Sequence, residues 1–189
     1  MSFDETIIHC GAPVLCGIKP ANLFSLNSDL YIHEKPRLLK WQKDFSKKNR
    51  HFVSLKKEDN RILMFIFDKK LLEKVIDSEE NSIYLKTKGY HPELGFSFVL
   101  AELLHKLAFY QQFPHEIGLF LGYPLQDVIG FEKNSSAYKY SGFWKVYGNL
   151  EEAEIKMRLY KTCSEKCMKW LNLGMSVPMA ARKYEKSIA

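Results

Sequence analysis

Two adjacent pairs carry side chains able to do chemistry: His9-Cys10 near the start of the chain, and His115-Glu116 in its second half. A thiol at a helix N-terminus has a lowered pKa, because backbone N–H groups stabilise the thiolate. A histidine brought to it by the fold takes its proton, and a carboxylate orients that histidine. On this reading Cys10 is the nucleophile of a thiol hydrolase or transferase, His115 its base and Glu116 the orienting acid. The same four side chains suit iron, zinc or haem, since imidazole and thiolate ligate these metals. Their spacing forms no recognised short-range ligand motif, so no metal set is assigned. Packing is the plain alternative, because a buried Cys is commonly a small hydrophobe and a Pro-His-Glu sequence commonly starts a helix.

His115 and Glu116 sit in the run FPHEIGLFLGYPLQDVIGF, residues 113–131, which is otherwise apolar apart from Gln126 and Asp127. Glu116 to Val128 has the skeleton of a helix-turn-helix, with Gly122 at the turn. Recognition helices expose basic or amide side chains to base edges and phosphates. Here the second helix offers Leu125, Gln126, Asp127, Ile129, Gly130 and Glu132, with no basic residue among them. The run therefore reads as two short packed helices around Gly122-Tyr123-Pro124, with His115 at a helix start. Nucleic-acid binding is left to the basic segment 35–57, with Lys35, Arg37, Lys40, Lys43, Lys47, Lys48, Arg50, Lys56 and Lys57 against Glu34 and Asp44. A solvated face explains that segment equally well.

Cys163 and Cys167 are four apart on a helix and share a face, which also carries Ile155, Leu159 and Trp170; core packing explains them best. Cys10-x5-Cys16 and Cys163-x3-Cys167 match no zinc-ribbon, redox or haem-attachment spacing. The aromatic run 138–147 offers a stacking surface for a flat ring such as a flavin or a base, with Tyr140 and Trp144 the ligand-binding candidates beside His9.

The elements that position these residues follow from periodicity and punctuation. Residues 3 to 26 read as a helix that breaks at His9-Cys10-Gly11, a restart with Pro13 in a first turn, then a turn or short extended piece at Lys19–Phe24. Glu34–Lys48 is a basic amphipathic helix with Pro36 in its first turn. Strands are expected at 51–57 and 61–67, joined by a hairpin loop at 58–60, with the second covered on both faces. Helices follow at 68–76 and from 79 to Lys88, closed by Gly89. Leu94–Gln111 reads as a central helix packed on several sides, and Tyr138–Tyr147 as the third strand. Asn149 with Glu152 caps a long helix, 150–172, and a weak helix covers 176–186. The predicted fold is one α+β domain over 1–189, mostly helical, with a small antiparallel sheet of about three strands.

At 189 residues, the chain suits one domain with a proper core. Its net charge of +6 is moderate, and 14% aromatic residues is high. No apolar run is long enough to span a bilayer. Asp4 and Glu5 stand where a signal peptide would carry positive charge, which predicts a cytoplasmic protein with reduced thiols.

Together HCGAPVLCGIKPANLF (9–24), the run 113–131 and SGFWKVYG (141–148) resemble domain-of-unknown-function family 3793. The resemblance covers nearly the whole chain. It implies a stand-alone bacterial protein of anaerobes, encoded beside flavodoxin or ferrous-iron-transport genes, and hence a flavodoxin-like or iron-transport partner. It places His9, Cys10, Pro114, His115 and Glu116 in the family's signatures and carries over no activity or cofactor. The resulting reading is a redox- or iron-linked binding protein with a His/Cys-lined pocket. A thiol enzyme and a nucleic-acid-binding module are the alternatives.

Overall fold

The computed structural model describes residues 1–56, 59–110, 112–133 and 136–188, and the chain divides into two compact units. The first comprises Met1–Leu71 and Leu159–Ala189; the second is Leu72–Arg158. No helix among the described residues is long and apolar enough to cross a membrane. The architecture is α+β and mostly helical, with a three-stranded antiparallel sheet.

In the first unit, α1 (Phe3–Leu15) starts at a capping box in which Ser2 and Glu5 each bind the other's backbone N–H. It does not break at Gly11, as the sequence suggested. An added Cβ on Gly11 would sit 3.0 Å from Ile66 Cδ1, so the glycine lets α1 approach the sheet closely. Pro13 lies inside the helix near its end. It forfeits one backbone hydrogen bond, which the full burial of Ala12, Val14 and Leu15 offsets.

The sheet order is β1-β3-β2, with β1 at Ala21–Asn27, β2 at Arg50–Lys56 and β3 at Arg61–Asp68. The expected hairpin is present; Lys57 and Glu58 lie outside the described residues. The third strand is β1, where a turn or short piece was expected. Antiparallel pairing of Ala21 with Phe67 through Asn27 with Arg61 satisfies its backbone. The central strand β3 is buried from Leu63 to Asp68, as an unbroken apolar run requires.

Helix α2 (Ser28–Ser46) begins earlier than expected, because Asn27 Oδ1 accepts the N–H groups of Asp29 and Leu30. Pro36 is therefore inside this helix, on its exposed side. Helix α3 (Lys69–Asp77) follows β3, and the residues of α8 (Leu150–Asn172) from Leu159 onward belong to this unit. The last helix, α9 (Val177–Ile188), is no weak appendage: Val177, Ala180, Ala181 and Tyr184 are buried in one core with Ile8, Trp41, Met64, Cys163 and Cys167.

The second unit contains α4 (Glu79–Thr87), a 3-10 turn at Pro92–Leu94, α5 (Phe96–Phe109), α6 (Ile117–Phe120) and α7 (Leu125–Glu132). The α5 helix buries Val99, Leu103 and Leu107 on one side but leaves Phe109 74% exposed, so it is not packed on several sides. Residues 138–147 form a separate two-stranded ribbon, β4 (Tyr140–Ser141) with β5 (Lys145–Val146), instead of joining the main sheet. The chain reverses at Gly142, whose N–H donates to the Trp144 carbonyl. An added Cβ there would lie 2.5 Å from Met157 Sδ. Asn149 Oδ1 accepts from Glu152 N, and its amide donates to the Glu152 carboxylate, which starts α8 where the sequence indicated.

Candidate functional site

The two short helices α6 and α7 turn at Gly122, whose φ of 85° a residue with a Cβ rarely adopts. A Cβ on Gly118 would meet Tyr123 Cδ2 at 3.0 Å and Val128 Cγ2 at 3.2 Å, so this glycine allows the helices to close. Tyr123 then stacks on Trp144 at 4.7 Å between ring centroids and 20° between planes. Beneath them lies Asp127, 2% exposed. It accepts from Trp144 Nε1 at 2.7 Å and from the N–H groups of Tyr147 and Gly148, both at 2.8 Å.

This framework borders a cavity of about 300 Å³, whose walls combine Phe113, His115, Tyr123, Phe131, Phe143 and Trp144 with the aliphatic Ile117, Leu121 and Val128. Asp127 and Lys145 also line it. The Lys145 ammonium stands 5.0 Å from the Tyr138 ring centre and 5.9 Å from that of Phe131. His115 is exposed and meets Phe131 edge-on at 5.4 Å. It also lines a second, more open and more polar hollow of about 380 Å³, together with Phe113, Lys106 and Glu116. His115 and Phe113 thus form the wall shared by the two cavities.

Glu116 is adjacent to His115 in sequence but buried at 7% exposure. Its Oε1 accepts from Lys106 Nζ at 3.0 Å and from the Tyr90 hydroxyl at 3.1 Å. Lys106 also donates to the Lys88 carbonyl at 2.7 Å and lies 3.9 Å over the Tyr90 ring. Burial, with the neighbouring Glu116, pushes the Tyr90 phenol well above its ordinary value, so it stays a donor. The Glu116 carboxylate therefore anchors α4, α5 and α6 to one another. Trp144 is buried, Tyr123 covers one of its ring faces, and its only polar group goes to Asp127, so it lines the cavity without a hydrogen bond to spare. Tyr140 is 44% exposed on β4 and is not among the described walls of either cavity.

His9 and Cys10 belong to the first unit, whereas His115, Glu116, Tyr140 and Trp144 belong to the second. Cys10 is the eighth residue of α1, far from the helix N-terminus that the sequence had suggested for it. Burial pushes its thiol up, and the Lys19 ammonium only partly counters this. Lys19 is itself buried; desolvation lowers its pKa to about 8, opposed by the Cys10 thiolate. It donates to Asn22 Oδ1 at 2.9 Å, and Asn22 donates in turn to the Cys10 carbonyl. His9 is exposed.

Much of the basic segment is neutralised within the fold. Arg37 pairs with Asp4 at 2.6 Å and Glu34 at 2.7 Å, while Lys48 and Arg50 both reach Glu185. Arg50 also pairs with Asp68 at 3.2 Å. Lys35, Lys40 and Lys43 remain exposed on α2. The side chain of Lys56 and all of Lys57 lie outside the described residues.

A cluster the sequence did not reveal lies in the first unit. The sulfurs of Cys16, Cys163 and Cys167 are all within 4.8 Å of one another, and all three residues are buried. The Cys163-x3-Cys167 spacing signalled a shared helix face, but Ile155 and Leu159, expected on it, are 51% and 41% exposed. Nothing in the spacing pointed to Cys16, which joins them only through tertiary packing.

The fold and these features define an α+β chain with an aromatic-walled cavity in one unit and a buried thiol cluster in the other. The family described as "Protein of unknown function (DUF3793)" matches residues 7–179, and the chain belongs to it. No curated protein and no solved structure matches this chain.

Proposed function

We propose that this is a redox-linked binding protein whose cavity beside His115 takes a planar heteroaromatic ring of flavin size bearing an anionic group. The observation that carries this reading is the composition of the cavity. Its volume, about 300 Å³, is at the low end for small-molecule pockets, which suits a ring system. Its walls combine the rings of Phe113, Tyr123, Phe131, Phe143 and Trp144 with the aliphatic Ile117, Leu121 and Val128, and stacking on an aromatic face contributes about 1–3 kcal/mol per ring. Lys145 and His115 supply the positive and hydrogen-bonding groups for an acidic substituent. Asp127 takes no part in ligand recognition on this reading, because its oxygens are engaged by Trp144, Tyr147 and Gly148. A nucleophilic role for Cys10 has weaker support, since burial holds its thiol protonated.

The test is titration of flavin mononucleotide and of riboflavin with the full chain, followed by flavin fluorescence. One flavin mononucleotide per chain should bind, with quenching. Phe143→Ala and Lys145→Glu should each weaken binding by about tenfold or more, the equivalent of about 1.4 kcal/mol. Riboflavin should be affected by Phe143→Ala but not by Lys145→Glu. If neither flavin is quenched by a stoichiometric excess of folded protein, the reading is wrong.

A further inference from the structure

Three thiols of the first unit converge from two elements. Cys16 caps the C-terminal end of α1, and Cys163 and Cys167 stand one turn apart on α8. The Cys16 and Cys167 sulfurs are 3.7 Å apart, and each residue of the trio is at most 3% exposed. Zinc–thiolate bonds are about 2.3 Å long, so two sulfurs sharing a tetrahedral ion stand about 3.8 Å apart. The Cys16–Cys167 spacing matches that of two thiolates on one ion, and the Cys163 sulfur lies within 4.8 Å of both.

The surroundings fit the same chemistry. Tyr184 on α9 is 2% exposed and packs in the same core as the three cysteines. The Ala180 and Ala181 carbonyls are each 3.9 Å from a sulfur, which is long even for a thiol donor. The donor set is all-sulfur, without carboxylate or imidazole, and such a set selects soft cations over magnesium or calcium.

We propose that Cys16, Cys163 and Cys167 bind one zinc ion through their three thiolates in this buried site. Binding exchanges three thiol protons for one divalent cation, which leaves a single net negative charge on the cluster. The ion ties the end of α1 to α8. This site belongs to the first unit, so it stands or falls independently of flavin binding.

The experiment uses the fully reduced chain, titrated with Co2+ and then with Zn2+. Thiolate-to-cobalt charge-transfer absorption should appear, saturate at one ion per chain and vanish on addition of one equivalent of Zn2+. Cys10→Ser should retain the band, and Cys163→Ser and Cys167→Ser should each lose it. Should those variants fail to fold, the unaltered chain still decides the matter. Zn2+ should raise its melting temperature. A reduced, folded wild-type chain with no charge-transfer band and no zinc-dependent rise in melting temperature overturns the proposal, as does an undiminished band in Cys163→Ser.

Discussion

The indole Nε1 of Trp144 donates to Asp127 Oδ2 across 2.7 Å, and this bond joins α7 to the aromatic ribbon. The other carboxylate oxygen takes two backbone N–H groups, so three donors replace the water a carboxylate would otherwise hold. Gly130 serves this junction, because a Cβ there would fall 2.4 Å from Tyr147 Cγ. The floor of the cavity is therefore built from one buried acid and one missing side chain.

Asp127→Asn tests that floor. The amide has nearly the same shape but turns an acceptor into an NH2 group facing donors. Loss of charge-assisted bonds and the resulting clash of donors should destabilise the fold by about 2–4 kcal/mol. Trp144→Phe removes one of the three bonds and keeps a ring in the wall, so it should cost less, about 1–2 kcal/mol. Urea unfolding of both variants gives the comparison. Equal midpoints for wild type and Asp127→Asn would show that the carboxylate does not organise the cavity.

Lys106 and Glu116 form a buried pair, their side chains only 15% and 9% exposed. Lys106→Met leaves the carboxylate with the Tyr90 hydroxyl alone and should cost about 3–5 kcal/mol, the penalty of an uncompensated buried charge. Adding Glu116→Gln removes that charge, so the double variant should be more stable than Lys106→Met. A double-mutant cycle measures the coupling. If the double variant is less stable than Lys106→Met, the pair is not the joint described here.

The legible parts of the fold were those set by local pattern. The start of α8 follows from Asn149 and Glu152, its end from Gly174, and the α6–α7 turn from Gly122-Tyr123-Pro124, because capping and positive φ act within a few residues. The apolar run 61–67 announced a strand covered on both faces. Gly11 misled because its role depends on Ile66, 55 positions away in the chain, and a glycine that admits a close neighbour looks like one that breaks a helix. The ribbon 138–147 misled because its strand-forming aromatics serve a two-residue pairing and a cavity wall. His115 lines the cavity, and a histidine in an apolar run stands out in the sequence. The thiol trio was missed because Cys16 is 151 residues from Cys167 and no spacing rule links them.

Lys19 makes the pH dependence of stability specific. Burial lowers its pKa from 10.5 to about 8 in the fold. Below pH 8 both folded and unfolded chains hold the proton, and the fold bears the full cost of a buried ammonium. Between those two values the unfolded chain keeps the proton and the folded chain has released it, so the Lys19 contribution becomes more favourable as pH rises. Cys10 works in the opposite direction, because burial raises its thiol pKa and its contribution falls above the ordinary value of 9.0. The comparison is therefore made in a Cys10→Ser background, with and without Lys19→Met. The stability of the Lys19-containing chain relative to its Met variant should rise by about 1.6 kcal/mol between pH 8 and roughly pH 9.5, since the folded group is already half-deprotonated at pH 8 and the slope approaches about 1.4 kcal/mol per unit only above it. Urea unfolding at the two pH values reads it directly. A difference that stays flat over this interval would mean that Lys19 keeps its proton in the fold, held by Asn22 and the Tyr160 ring.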